Sequence, residues 1–244
     1  MYRQEEIKPY SEEGSKREQV EQMFDNIAHS YDTLNHTLSL GIDKLWRRRA
    51  IGAVPTSASL ILDVATGTGD LALLASRKIP SARIIGADIS QEMMDIGQKK
   101  VAASGLSDRI AFQYEDCAAL SFPDDTFDAV VSAFALRNFA DLSRCLSEMH
   151  RVLKPGGTLS IIDLCTPSGF PMKQLFSLYK HLIMPTMGRL ISHDDLAYTY
   201  LPATMDAIPQ AEDMTAIIRQ AGFAAPRYKR LPFGMCIHYT ATKT

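Results

Sequence analysis

The sequence predicts an α/β domain on a doubly wound, largely parallel sheet, and three observations carry that expectation. Short apolar runs alternate with helix-period segments from residue 60 to residue 163. The first run, Leu60 to Ala65, leads straight into the glycine turn Gly67-Thr68-Gly69. The second, Ile84 to Ala87, ends on an acid, Asp88. Alternation at this spacing means parallel strands joined by right-handed crossovers, with helices on both faces. Ligands of such sheets sit beyond the carboxyl ends of the strands. The residues there are Ala65 to Gly69, Asp88, Asp116 and Ala133 to Asn138.

Residues 1–15 are charged and punctuated by Pro9 and Gly14, and read as loose chain. Val20, Met23, Phe24 and Ile27 then recur at helical spacing, and Asp43 to Ala50 suggests another helix. Between them the polar stretch Tyr31 to Asn35 reads as a connection, and Pro55 and Ser57 close this helical cap. Strand 60–65 is followed by a helix through Leu71, Leu74 and Ala75. Strand 83–87 is followed by one through Met93, Met94, Ile96 and Val101, with Ser90 as N-cap. Strand 110–114 follows Gly105, and strand 127–133 precedes a helix through Leu142, Leu146 and Met149. Strand 158–163 follows Lys154-Pro155-Gly156-Gly157, a turn that no helix can cross.

The tail departs from this rhythm. Residues 166–205 carry no strand signal but many Met, Leu, Phe and Tyr residues, broken by Pro167, Pro171 and Pro185. Ala211 to Ala221 reads as a helix stopped by Gly222. Arg227–Leu231 and Cys236–Ala241 then form a hairpin around Pro232-Phe233-Gly234, so at least one strand runs against the rest. Four segments result: an N-terminal tail and helical cap, 1–55; a ligand-binding core, 56–165; an apolar helical insert, 166–205; and a closing helix and hairpin, 206–244.

Composition narrows the function classes. In 244 residues, 26 Lys and Arg against 28 Asp and Glu leave a net charge of −2, which argues against a nucleic-acid binder. Arg47-Arg48-Arg49 is too short to reverse that and reads as the solvated face of a helix. The four cysteines (Cys117, Cys145, Cys165, Cys236) have no C-x-x-C spacing, and the histidines do not pair at ligand spacing, so no metal site is expected. Scattered thiols suit a reducing cytosol. His181 and His193 read as surface or pocket-wall residues. The polar N-terminus is no signal peptide and no apolar run spans a bilayer. A soluble, cytoplasmic chain is expected, with peripheral contact at a membrane still open to it and a homodimer the prior expectation.

The strand–turn–acid unit first implies an adenosine-type cofactor, with Asp88 placed for the ribose hydroxyls. Gly67-Thr-Gly-Asp-Leu-Ala72 fits the dinucleotide fingerprint G-x-G-x-x-A, but that match alone is weak. Three acids pull away from a pyrophosphate. Asp63 precedes the glycines, Asp70 follows them, and Glu115-Asp116 ends the third strand. Carboxylates there repel phosphate and suit a sulfonium with an ammonium-bearing tail, so S-adenosyl-L-methionine fits better than a nicotinamide dinucleotide. The blander alternatives are a loop cap for Asp63 and a strand-end turn residue for Asp88.

These residues resemble a known family. Asp63-x-x-x-Gly67-x-Gly69, Asp88, Asp116, Phe122 to Asp128 and Leu153-Lys-Pro-Gly-Gly157 are similar to class I S-adenosylmethionine-dependent methyltransferases. Tyr31 to Trp46 and Arg151 to Cys165 resemble the two signatures of the ubiquinone/menaquinone biosynthesis C-methyltransferases, and Leu136-Arg137-Asn138 matches a third stretch. The resemblance runs from about Val20 to the end and implies a seven-stranded sheet whose last strand is antiparallel. Departures are Asp43 where the family usually has His, Asp163 for Glu, Cys165 for Ser, and Ala133 for Ser. They touch substrate contacts and leave the cofactor assignment intact.

The resemblance implies C-methylation of a prenylated quinol, with demethylmenaquinol favoured over a ubiquinol precursor. The expected cofactor contacts are Asp63, Gly67, Thr68, Gly69, Asp88, Ile89, Asp116, Cys117 and Ala133. Arg137 and Asn138 are expected to face the substrate, with Tyr31 completing the network. A guanidinium keeps its proton at neutral pH, so Arg137 is expected to stabilise a phenolate or orient a water rather than act as a free base. Phe170, Met172, Leu175, Phe176, Leu178, Met184 and Met187 could line a tunnel for the isoprenoid tail, flexible thioethers adapting well to it. The competing readings are a helical cap burying its own core, a nicotinamide-dependent oxidoreductase, a non-catalytic adenosylmethionine-binding module, and methylation of another small molecule at oxygen or nitrogen.

Overall fold

A computed structural model describes residues 1–167, 169–180 and 195–244, with side chains described from 200 onward in the last stretch. Seven strands form one sheet in the order β3-β2-β1-β4-β5-β7-β6. They are β1 (Leu60–Val64), β2 (Arg83–Asp88), β3 (Ile110–Tyr114), β4 (Phe127–Ala133), β5 (Leu153–Leu164), β6 (Ala224–Arg230) and β7 (Cys236–Thr242). β1 to β5 pair in parallel, and β7 runs antiparallel to both β5 and β6, so it alone is reversed. This is the doubly wound sheet with one antiparallel strand that the alternation and the closing hairpin predict. Pro167, Met184, Pro185, Met187, His181 and His193 were singled out above; of these, all but Pro167 lie outside the described residues.

Alternation along the strands sorts the core into two layers. Leu62 and Val64 face one side with Val130, Leu159 and Ile237, under helices α6 (Leu142–Val152) and α9 (Glu212–Gln220). Ile61 faces the other with Ile84, Val131 and Ile162, under α3 (Asp43–Ile51), α4 (Asp70–Lys78) and α5 (Gln91–Ala103). Asp63, two residues beyond Ile61, shares that second face. The short α1 (Arg3–Glu6) and α7 (Met172–Leu178), with α2 (Lys16–Leu38) and α8 (Asp195–Ala207), complete the described α-helices.

Two expectations are corrected. The polar stretch Tyr31 to Asn35 does not separate two helices: α2 runs unbroken from Lys16 to Leu38. Its start is a capping box, in which Ser15 accepts the Glu18 N–H and the Glu18 carboxylate accepts the Ser15 N–H. Its apolar stripe, Val20, Met23, Ile27 and Leu34, continues through the polar stretch, and that burial outweighs the local propensity for a turn. The second correction concerns β5, which begins at Leu153 rather than 158. Leu153 pairs with Phe127 and Thr158 with Ala129, so Lys154 to Gly157 bulge out between two paired positions. Pro155 has no N–H to give to the ladder, and Gly156 takes a φ of +78° and donates to the Lys243 carbonyl.

Candidate active site

Helix α2 lies across the carboxyl ends of β1, β2 and β3, tied to the loop beyond each. Asp32 accepts from Thr68 Oγ1 at 2.6 Å and from Lys100 Nζ at 2.8 Å. Asp25 accepts from Ser90 Oγ at 2.6 Å. Arg17 Nε donates to Asp116 at 2.6 Å. Beneath α2 opens a cavity of about 980 Å³, its mouth included, lined by Gly67, Asp88, Ile89, Asp116, Cys117 and Ala133 among others. Tyr31 and Asn138 line it as well. Eight of the twelve residues expected at the site therefore share one chamber.

Asp63, Thr68, Gly69 and Arg137 do not line it. Thr68 is buried, and its hydroxyl is committed to Asp32 and Lys100. That makes it a tie between α2 and the glycine loop. The two glycines also separate in role. Gly67, at a φ of +55°, has nothing within 4 Å of a Cβ built on it, so its backbone faces open space. A Cβ on Gly69, at +76°, would sit 2.7 Å from the Phe112 ring, so this glycine serves packing. Gly69→Ala is expected to destabilise the fold by about 2–4 kcal/mol, from left-handed strain plus overpacking. Gly67→Ala should cost about 1 kcal/mol. Urea denaturation of the two variants checks that order.

The acids differ in what they offer a ligand. Asp88 Oδ2 accepts the Gly67 N–H at 2.7 Å and Oδ1 the Ser90 N–H at 2.9 Å, which fixes the carboxylate at the cavity wall with one lone pair left on each oxygen. Burial raises its pKa, the backbone donors opposing the shift. Asp116 also caps Ala118, at 2.9 Å. Asp63 is 1% exposed; Thr66 satisfies its Oδ2 at 2.7 Å, while Oδ1 has no hydrogen-bond partner among the described residues. Burial pushes its pKa up to about 7, with Thr66 and Arg47 opposing the shift. Asp70 does not serve as the expected second free charge. Burial disfavours its ionised form, but Arg47 and Lys100 outweigh that and hold its pKa below the usual value. Its charge is spent on Lys100, on His36 at 3.6 Å and on Arg47 at 3.9 Å.

A second cavity of about 610 Å³, its mouth included, lies beside the first; Leu38, Trp46, Leu164, Phe176, Tyr179 and Leu201 give it an apolar wall, and Asn35, Ser39, Asp43 and Arg137 a polar one. Phe134 lines both chambers. Sequence reading missed this residue: a non-glycine at a φ of +65°, its ring edge-on to Trp46 and under the Arg47 guanidinium at 5.0 Å. Left-handed phenylalanine is a strained state that surrounding contacts must enforce. It aims the Phe134 carbonyl at Arg137 Nη1, 2.6 Å away, and Asn138 Nδ2 lies 3.5 Å from the same oxygen. Arg137 is 7% exposed and bonds Asp163 at 2.6 Å, leaving its Nε without a partner among the described residues. The signal for Asp163 was present in the sequence, as a departure from the resembled signature.

Lys16 was also missed. Its buried ammonium donates to the carbonyls of Gln4 and, at 3.1 Å, of Arg137. Tyr31, deep in the first chamber, has its pKa raised by burial, which Arg47 and Arg137 oppose, so it remains a phenol and a donor. Among the described residues no cluster of His, Cys, Asp and Glu could hold a metal ion.

The sequence profile of the ubiE/COQ5 methyltransferase family matches residues 12–243. The demethylmenaquinone methyltransferase of Bacteroides fragilis is 56% identical, with 99% of each chain covered. The ubiquinone/menaquinone biosynthesis C-methyltransferase UbiE of Geobacter sulfurreducens is 42% identical over 93% of this chain and 90% of its own. In fold alone, the chain resembles a Haemonchus contortus phosphoethanolamine N-methyltransferase 2 solved with S-adenosyl-L-methionine. That match has a TM-score of 0.68 and 15% identity, over 95% of this chain and 60% of that one.

Proposed function

The chain belongs to the ubiE/COQ5 methyltransferase family, and from that premise we propose that it methylates a ring carbon of demethylmenaquinol, a prenylated quinol, at the expense of S-adenosyl-L-methionine. The observation that carries the reading is the pair of chambers, one acid-rich and one apolar, meeting at Phe134 with Arg137 and Asn138 beside the seam.

The acid-rich chamber fits the cofactor by the chemistry of its donors and acceptors. Asp63 does not line the chamber but adjoins the lining residue Val64 and offers a buried oxygen without a partner among the described residues. Asp88 and Asp116 keep free lone pairs, and Arg17, the one cation among the described lining residues, is already paired with Asp116. Carboxylates of this kind suit an ammonium and ribose hydroxyls; a pyrophosphate would meet only repulsion, so the dinucleotide reading loses its support. In our reading Asp63 takes the ammonium, Asp88 the ribose, and Asp116, Cys117 and Ile89 the adenine end, with Gly67 letting the backbone approach. When bound, S-adenosyl-L-methionine supplies an electrophilic methyl group on a sulfonium.

The chain's own residues prepare the acceptor. A quinol ring carbon becomes nucleophilic as the adjacent hydroxyl gives its proton to water; the negative oxygen then needs fixed donors until the methylated carbon sheds its own ring proton and the hydroxyl is restored. Arg137 offers its unpartnered Nε–H while Asp163 and the Phe134 carbonyl hold the guanidinium still. Asn138 and Tyr31 supply further donors from the first chamber. Phe176, Tyr179 and Leu201, from the expected insert, extend the apolar wall along which the prenyl tail lies. Alignment and exclusion of water supply the remainder of the rate gain.

The test is methyl transfer from labelled S-adenosyl-L-methionine to demethylmenaquinol in detergent, read by mass spectrometry. The expected product is menaquinol, one methyl heavier. Removal of the prenyl tail should raise KM at least tenfold; an unchanged KM would leave the apolar chamber without a substrate role. Faster turnover of a ubiquinol precursor would overturn the choice of substrate, and transfer to neither would overturn the reading.

A further inference from the structure

The elements that line the apolar chamber carry exposed leucines and cations on their outer sides. Leu38 and Ser39 line that chamber, and the next residue, Leu40, is 86% exposed. Trp46 lines it, and Leu45 is exposed; Phe176 and Tyr179 line it, and Leu175 and Leu178 are exposed. Exposed leucines thus flank the lining residues just beyond α2, on α3 and on α7, and Leu175 and Leu178, expected in the tunnel wall, are exposed instead and line neither chamber. A hydrogen bond of 2.6 Å from Tyr179 to the Leu38 carbonyl joins the ends of α7 and α2.

The charge on this face has one sign. On α3, Asp43, Trp46, Arg47, Ala50 and Ile51 point inward, which leaves Lys44, Leu45, Arg48 and Arg49 on one outward face. Lys44, Arg48 and Arg49 have no ion pair among the described residues, and Lys173 on α7 is likewise exposed and unpaired. Residues 33–51 contain one acid, Asp43, which is buried and bonded to Ser39 and His36; residues 166–180 contain none. On a chain with an overall charge of −2, such a patch departs from the average surface. Isolated exposed leucines need no explanation, but leucines set among unpaired cations on the outer sides of the elements that line a cavity form a surface of definite chemistry.

We infer that this face, the outward side of α3 with Leu40 and the Leu175–Leu178 side of α7, docks on an anionic lipid bilayer, so that a prenylated quinol enters the apolar chamber without crossing water. The inference rests on the quinol reading above. The partner is a lipid surface because both halves of the patch find their complement there: acyl chains for the leucines, headgroup phosphates for the cations. No described helix is long and apolar enough to cross a membrane, so the contact is peripheral.

Cosedimentation with phosphatidylcholine vesicles, with and without phosphatidylglycerol, tests it on the full chain. Binding should require phosphatidylglycerol and weaken as salt rises. Leu45→Ser/Arg48→Glu/Arg49→Glu should weaken it at least about twentyfold. A second variant on the other rim, Leu175→Ser/Leu178→Ser, should weaken it independently. Both should keep wild-type turnover on a short-tailed quinol in detergent and lose it on long-tailed quinol embedded in vesicles. Equal binding to neutral vesicles, or undiminished binding by the variants, overturns the inference. So does a wild-type dimer in sedimentation equilibrium that the first variant splits, since a second copy would then own the face. Vesicle binding needs no methyl transfer, so failure of the quinol reading shows separately, as wild-type protein that methylates no quinol in detergent.

Discussion

Arg137→Ala is expected to lower kcat about a thousandfold while S-adenosylhomocysteine binds within threefold of its wild-type affinity. The size follows from removing the fixed cation opposite a developing negative oxygen, worth about 10²–10³ in turnover. Affinity should hold because Arg137 lines the apolar chamber and not the acid-rich one. The same variant should lose about 3–5 kcal/mol of stability, since Asp163, 2% exposed, is left buried without its partner. These two losses have different origins and can be separated. In Arg137→Met/Asp163→Leu both charges go, and an apolar pair of similar volume is often as stable as the ion pair it replaces. Stability should return in that double variant and turnover should not. Recovery of turnover along with stability would make Arg137 a structural residue, and a parallel loss of cofactor affinity would move it into the other chamber.

The features legible from the sequence were those encoded locally. The strand of residues 60–65, its glycine turn and Asp88 each carry their signal within a few neighbours. The structure has the strand, the turn and the acid at the end of the next strand, with Gly67 and Asp88 at the chamber and Thr68 and Gly69 away from it. What escaped depends on contacts between distant residues. Gly67 and Gly69 look equivalent in the sequence, yet Phe112, more than forty positions away, decides that one faces open space and the other a ring. Asp70 reads as a free charge until Lys100, His36 and Arg47 are seen to surround it. The continuity of α2 through Tyr31 to Asn35 rests on burial of its apolar stripe through Leu34, with Asp32 on the polar stretch bonded to Thr68 and Lys100. Phe134 could not have been singled out, because nothing in its neighbours announces a left-handed backbone. Its conformation is imposed by the Ile162 carbonyl on one side and by Trp46 and Arg47 on the other.

These long-range contacts have a common effect: they fix polar groups before any ligand arrives. Asp88 is held by two backbone donors, Arg137 by Asp163 and a carbonyl, and Thr68 by Asp32. A site prepared in this way loses little ordering entropy on binding and keeps its dipoles in place as charge develops. Asp63 is held on one oxygen only, by Thr66, while the other is buried without a hydrogen-bond partner among the described residues.

That unpartnered oxygen is expected to make cofactor affinity depend on pH. With its pKa raised from 3.8 to about 7, Asp63 carries a proton in the free fold over a range where the unfolded chain has lost it. The fold therefore binds more protons than the unfolded state between about pH 4 and pH 7, and Asp63 makes the free protein progressively less stable as pH rises through that window. The penalty reaches on the order of 3–4 kcal/mol above pH 7. Carboxylates with lowered pKa values, such as Asp70, act in the opposite sense. The measurable quantity is accordingly the difference between wild type and Asp63→Asn, whose stabilities should converge near pH 4 and diverge in favour of the variant by pH 8. A ligand ammonium brought to Asp63 favours the ionised form and drives the proton off. Binding of S-adenosylhomocysteine near pH 6.5 should then release protons, visible in calorimetry as heats that change with the ionisation enthalpy of the buffer. Affinity should rise at least tenfold from pH 5.5 to pH 8. Asp63→Asn should flatten both dependences and bind about 10–100-fold more weakly at pH 8, the loss of a charge-assisted hydrogen bond. A variant that keeps the wild-type pH dependence would place the ammonium elsewhere, with Asp88, half-buried in the chamber wall and close enough to raise the Asp63 pKa, the next candidate.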